Sequence, residues 1–289
     1  MSEAGPPHEA RAPGEVVRET ARTHDLDRYL AALLAPRSAR QDLIVIAAFA
    51  GELARIPLVV REPMMGEIRL QWWRDAIEGF ATGAATGNPV ADAMCELVER
   101  RGLSREPLLA AIDAREADLY ADPVADQGAL DRYLAGTEGS FFALAAAVLG
   151  AAELPNADRR VHHAGAALGM TRLLIDLPHH LARGRVPLPT MWLLEAGLPA
   201  GGLPAGRPGE VRAVLTRAVR YAREHLAGVQ QLLAGASRTE FAAFLPLALV
   251  EPYLQAFEGR KHDPPREIAE IAPLRRVWRL WLVHRRGRI

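Results

Sequence analysis

Asp176, His180, Arg172, Arg183 and Arg185 fall within one stretch, Ala167 to Pro189, which reads ALGMTRLLIDLPHHLARGRVPLP. An aspartate and a histidine four residues apart lie on one helical face and can share a divalent ion. That geometry requires the helix to continue past Pro178, whose ring removes a backbone donor and commonly ends a helix. A helix-end aspartate paired with a histidine or an arginine is the plainer alternative, and Asp176 is the one metal-ligand candidate. The three arginines carry a second chemistry, because guanidinium forks bind phosphate without a metal. Arg172 also stands four residues before Asp176, so an internal ion pair competes with that role. His162 and His163 lie about four turns earlier at roughly 1.5 Å per residue. They are too distant to complete the same site and read as packing or surface groups.

Two further clusters stand apart from this stretch. After Glu270 the chain has no acid, while Arg275, Arg276, Arg279, Arg285, Arg286 and Arg288 accumulate beside Trp278, Trp281 and several aliphatic residues. A basic helix with an aromatic face suits an anionic membrane surface or a protein partner, with Trp278, Arg279, Trp281 and Arg285 as the contact residues. It is too short and too charged to span a bilayer, and a final core helix with a solvated arginine face is the alternative. Trp72 and Trp73 form the second cluster. Adjacent indoles on a helix point about 100° apart, so one enters the core while the other lies at its margin. Glu52 and Arg55, three residues apart, read as a helical ion pair.

These residues are carried by helices. Apolar positions recur at helical spacing through Leu26 to Leu34 and Leu43 to Ala54, with Pro36 and Pro57 as punctuation. The same pattern predicts helices over Pro63 to Phe80, Pro89 to Arg101, Pro107 to Leu119, Leu130 to Leu149 and Arg159 to Leu177. It predicts three more over Gly209 to Ala234, Arg238 to Glu258 and Leu274 to Arg285. No alternating run of β-branched residues is long enough for a sheet. The fold class is therefore all-α, with residues 25–289 as one domain and residues 1–24, rich in proline and poor in apolar groups, as a flexible lead. The Gly/Pro-rich segment 196–209 is a loop within that domain.

Composition narrows the function classes. The 289 residues are 49% hydrophobic, enough for a large core, and 35 basic residues balance 35 acidic ones. A neutral chain without a helix-turn-helix, zinc-finger or RNA-binding signature is not expected to bind nucleic acid. Cys95 is the single cysteine, so no internal disulfide framework exists. With no secretory hydrophobic region, the expected location is the cytoplasm, peripheral at the inner face of the membrane if the basic tail docks there.

The Ala167 to Pro189 stretch resembles the second acidic motif of the squalene/phytoene synthase family, roughly Q-x-x-N-x-x-R-D-x-x-x-D followed by G-R-x-Y-L-P. In that frame Gly169, Arg172 and Ile175 replace polar family residues. Asp176 is retained, His180 replaces the second aspartate, and Gly184 to Pro189 keep most of the closing motif. The first acidic motif corresponds to Ala47 to Val59. There Phe49 fits, Gly51 replaces an arginine, and Ala54, Arg55 and Leu58 stand where aspartates belong. Tyr133, Gly136, Thr137 and Gly139, in DRYLAGTEG, resemble a family helix that lines the substrate cavity. EPMMGEIRLQWWRDAIEGF (Glu62 to Phe80) and APLRRVWRLW (Ala272 to Trp281) resemble the branch that includes a mitochondrial respiratory complex I assembly factor and its bacterial relatives.

The resemblance implies a single-domain isoprenoid-synthase-like helical bundle around a central cavity, with Tyr133, Gly136 and Gly139 in its wall. Complete members hold Mg²⁺ between facing carboxylates to ionise a prenyl diphosphate. With most of those acids replaced, the resemblance implies a non-catalytic protein that needs no cofactor. Its role would be membrane-associated respiratory-complex assembly or the binding of an isoprenoid diphosphate or lipid. The alternative is a Mg²⁺-dependent transferase joining two prenyl diphosphates head to head.

Overall fold

The computed structural model describes residues 12–79, 85–153, 155–260 and 262–289. The architecture is all-α: among the described residues no strand forms, and the one β contact is an isolated bridge between Val124 and Pro189. The first four helices are α1 (Pro13–His24), α2 (Leu26–Leu34), α3 (Arg37–Val59) and α4 (Pro63–Gly79). Next come α5 (Pro89–Arg101), α6 (Glu106–Ala114), α7 (Gln127–Leu134) and α8 (Ser140–Val148). The second half holds α9 (Ala157–Ile175), α10 (Leu177–Ala182), α11 (Thr190–Glu195) and α12 (Pro208–Leu232). The last three are α13 (Arg238–Ala243), α14 (Val250–Phe257) and α15 (Pro273–Arg286).

Local chemistry sets many of the boundaries. Asp25 caps α2, its carboxylate accepting from the Arg28 amide, and Asn88 and Asp126 cap α5 and α7 in the same way. Ser237 and Glu240 form a capping box at the start of α13. Gly102 and Gly287 close α5 and α15 in the left-handed region. Pro57 does not punctuate as expected. It sits in the last turn of α3, which runs on to Val59.

α3 is the central element, buried almost continuously from Leu43 to Leu53, with Phe49 in edge contact with Trp73 and Phe141. α9 is the second, packing along α12 and against the π turn Ala135–Gly139 that joins α7 to α8. The approach there is close: a Cβ on Gly165 would sit 2.7 Å from the Gly139 backbone, and one on Gly136 2.6 Å from the Ala114 Cβ.

Two further expectations change. The lead was expected to be flexible through residue 24, but Pro13–His24 is helical, with Val17 and Ala21 buried against α3. Residues 1–11 of that lead, and Phe80 at the expected end of α4, lie outside the described residues. The helix expected over Arg238 to Glu258 is interrupted by the 3-10 turn Leu245–Leu249, which contains Pro246.

Candidate functional site

One cavity of about 750 Å³ opens among the N-terminus of α2, the end of α3, the 3-10 turn Arg115–Asp118, the π turn, and the junction of α9 with α10. Asp176, His180, Arg172, Arg183 and Arg185 all line it, as does Tyr133. Gly136 and Gly139, expected in its wall, are not lining residues. They face α6 and α9, where their missing side chains allow the close helix packing described above.

The cavity floor is a lattice of arginines and carboxylates. Arg172 donates to Asp25 at 2.7 Å and to Glu138 at 3.2 Å. Arg28 donates to Asp25 at 2.6 Å and also to Glu138. Asp118 accepts from Arg115 at 3.0 Å, Arg185 at 2.5 Å and the Tyr133 hydroxyl at 2.8 Å. At a third corner Asp27 pairs with Arg276 at 3.0 Å and accepts from the Tyr253 hydroxyl. The internal pair between Arg172 and Asp176 that the spacing offered does not form; Arg172 turns to two acids remote in sequence.

Charge states follow from this packing. Burial pushes Asp25 up, but Arg172 and Arg28 outweigh it and hold the carboxyl at about 2. Burial likewise raises Asp118 and Glu138, and their guanidinium neighbours bring both below the ordinary range. Asp27 ends higher than usual because burial exceeds the effect of Arg276. Asp176 faces cavity solvent at the turn where α9 ends, its carboxylate has no ion-pair or hydrogen-bond partner among the described residues, and desolvation raises its pKa. Burial and then Arg185 push His180 down to about 4, so it is neutral near pH 7. Its ring nitrogen lies 3.4 Å from the Arg185 guanidinium.

A magnesium clamp needs several oxygen ligands free to turn toward the ion. Asp25 and Asp118 are each committed to two guanidinium groups and Glu138 to three, and Asp27 pairs with Arg276, which leaves Asp176 as the one acid lining the cavity without an ion pair among the described residues. No set of three His, Cys, Asp or Glu among the described residues is placed to hold a metal. On the other wall Ala54, Arg55 and Leu58 line the cavity without a carboxylate, and Arg55 pairs with Glu52 at 3.5 Å. The donor set does not fit Mg²⁺.

The sequence did not reveal Asp25, Arg28, Arg115, Asp118, Glu138 and Arg276 as site residues. One trace was legible: Glu138 is the lone acid in the apolar run from Leu134 to Leu149, where an unpaired charge would be costly. His162 and His163 are remote from the cavity, as expected. They gather with His225, the His163 and His225 Nδ1 atoms 3.1 Å apart.

The tail helix α15 presents Trp278 and Trp281 stacked 5.0 Å apart, with Arg285 over the Trp281 ring. Leu274 and Trp278 are 85% and 61% exposed, so the apolar face is not consumed by the core. Arg279 turns inward and donates to the Ala248 carbonyl. Trp73 is buried and Trp72 half-exposed, as expected for adjacent indoles.

Residues 21–281 match the squalene/phytoene synthase family profile. The chain belongs to that family. Among its relatives is the rat NADH dehydrogenase (ubiquinone) complex I assembly factor 6, 30% identical over 246 residues, or 85% of this chain and 74% of that one. The presqualene diphosphate synthase of Rhodopseudomonas palustris is 32% identical over 175 residues, 60% of this chain and 61% of the other. In fold, a dehydrosqualene synthase crystal structure superposes with a TM-score of 0.78 at 15% identity, covering 95% of this chain and 96% of that one. The substitution of Gly51 for the family arginine has a local reason. A Cβ there would meet the His24 Cβ at 2.6 Å, so the junction of α1 and α2 occupies the space a side chain would need.

Proposed function

We propose that this chain is a non-catalytic squalene/phytoene synthase family member that serves membrane-associated respiratory-complex assembly, with the retained cavity holding an isoprenoid or other lipid. The observation that carries the reading is the arginine–carboxylate lattice. Fixed guanidinium charges occupy the cavity floor, and the acids that face them are neutralised within the protein. Ionising a prenyl diphosphate requires metal charge against the leaving group, and one unpaired Asp176 does not supply its ligands. The similarity to complex I assembly factor 6 over most of both chains supports the same direction. The arginine-bordered tryptophan face of α15 supports a peripheral position, at the cytoplasmic face of a membrane; no helix among the described residues is long and apolar enough to cross one.

A second reading, head-to-head prenyl transfer, is favoured by the similarity to presqualene diphosphate synthase and by the open cavity. Purified protein incubated with farnesyl or geranylgeranyl diphosphate and Mg²⁺ separates the two. The assembly reading expects no pyrophosphate release above a boiled control, and release would establish the transferase. In cells, deletion of the gene is expected to lower assembled NADH dehydrogenase. Normal levels of the complex would overturn the assembly role.

A further inference from the structure

Three histidines meet where α9 packs along α12: His162 and His163 from α9, and His225 from α12. The ring centres of His162 and His163 lie 5.4 Å apart, those of His162 and His225 5.3 Å, and those of His163 and His225 5.0 Å. Across the helix interface the His163 and His225 Nδ1 atoms approach to 3.1 Å. No ring nitrogen of the three has another hydrogen-bond or ion-pair partner among the described residues. Imidazole is the side chain that divalent transition ions of the zinc class take most often.

Both rings of the close pair are held in place. Gly228 on α12 leaves room for the His163 ring, and a Cβ there would come within 2.8 Å of it. The Tyr221 ring lies 4.4 Å from that of His225, and the Tyr221 hydroxyl donates to Asp131 at 2.5 Å. His163 and His225 are half-buried and His162 is exposed, so an ion reaches them from solvent. Burial first, and then the neighbouring histidines, lowers the pKa of both, that of His225 to about 4, so near pH 7 no proton competes for their lone pairs. The fixed charges that act on the pair are one of each sign, Arg159 at His163 and Asp131 at His225.

The spacing suits a shared ion. With metal–nitrogen bonds of about 2.0–2.1 Å, two nitrogens 3.1 Å apart subtend about 95–102° at the metal, between the square and the tetrahedral angle. We propose that His163 and His225 form a chelating pair for a divalent first-row transition ion of the zinc class, which staples α9 to α12. Coordination takes the Nδ1 lone pair of each ring. The proton that one Nδ1 shares with the other in the metal-free pair moves to the Nε2 of its own ring, where no protein group among the described residues opposes it. No third protein ligand converges with the two among the described residues, so water fills the remaining positions and His162 stands beside the ion without binding it. The pair shares no residue with the cavity, so the staple stands or falls independently of the cavity ligand and of the assembly role. Its effect is to fix α9, the helix that carries Arg172 to the cavity floor.

The test takes the full chain, stripped with a chelator, and titrates it with Zn²⁺ by calorimetry at neutral pH while the melting temperature is followed with and without the ion. The pair predicts one ion per chain and a melting temperature raised by several degrees once Zn²⁺ stands about a hundredfold above its Kd. His163→Gln and His225→Gln should each weaken binding at least about tenfold and remove the rise, measured against each variant's own metal-free value. His162→Gln should keep both. Cu²⁺ in place of Zn²⁺ gives a readout on the unsubstituted chain that needs no variant to fold: its paramagnetic resonance spectrum should show coupling to two imidazole nitrogens. Coupling to one or none would overturn the proposal. Binding that survives His163→Gln and His225→Gln would place the ion on other groups and overturn it too, as would an equal loss in His162→Gln. Absence of Zn²⁺ binding up to about 1 mM, an affinity of only about 4 kcal/mol, would leave the 3.1 Å contact as a plain hydrogen bond between two histidines and overturn the staple.

Discussion

Arg172 and Asp176 lie one turn apart and differ sharply in what they contribute. Arg172 holds two buried carboxylates, so Arg172→Leu leaves Asp25 and Glu138 short of a counter-charge and is expected to cost about 3–5 kcal/mol of stability. Asp176 has no partner to lose, and Asp176→Asn removes a desolvated carboxylate, so urea unfolding should place this variant within about 0.5 kcal/mol of the parent. Equal losses in the two would contradict the lattice as drawn. His180 supplies the pH dependence. Its pKa falls from 6.5 to about 4 on folding, chiefly by burial, so the neutral form is the one the fold favours. That contribution is complete above pH 6.5 and drains as pH falls toward 4. The urea midpoint should therefore drop between pH 7 and 4.5, and His180→Gln should flatten part of the drop. His225, lowered to about 4 by burial and by His163, accounts for more of the same window. A His180→Gln profile parallel to that of the parent would remove His180 from this account.

At the scale of elements, the helices were legible because periodic apolar positions and capping residues are local facts. α5 runs over Pro89–Arg101 and α12 over Pro208–Leu232, close to where pattern and punctuation put them. α1 was misread because its two buried residues, Val17 and Ala21, are few, and their worth depends on α3 being there to receive them. The site was half legible for a similar reason. Asp176, His180, Arg172, Arg183 and Arg185 come from one stretch, whereas the Arg172–Asp25 contact spans 147 residues and Arg28–Glu138 spans 110. Pairing at such separations is a property of the assembled bundle and leaves no spacing to read. The glycines show the same division: Gly136 and Gly139 carried a recognisable pattern, but only the packed helices reveal that they face neighbours instead of a ligand. Gly165→Ala tests this packing, since the new methyl would meet the Gly139 backbone, which cannot rotate away. A loss of about 1–3 kcal/mol is expected, seen as a lowered melting temperature. An unchanged melting temperature would mean that α9 and the π turn are not in tight contact.

For the whole molecule, the question is whether the cavity is an active site with one wall missing or a chamber rebuilt around fixed charge. The two views differ in what a repaired wall should do. Ala54 and Leu58 lie four apart on α3 and both line the cavity, so Ala54→Asp with Leu58→Asp restores a pair of carboxylates on one helical face. If only that wall were missing, the double variant would bind Mg²⁺ and begin to release pyrophosphate from a prenyl diphosphate. In a rebuilt chamber the opposite wall still presents Arg172 and Arg185, tied to Asp25, Glu138 and Asp118, and these acids cannot turn toward an ion without abandoning buried cations. The expected outcome is no magnesium-dependent rise in melting temperature and no pyrophosphate release. The new aspartates should instead lower stability, through their own desolvation beside a lattice already neutralised from within. Turnover in the double variant would show that the arginines are spectators and that this cavity lost its chemistry through the α3 wall alone.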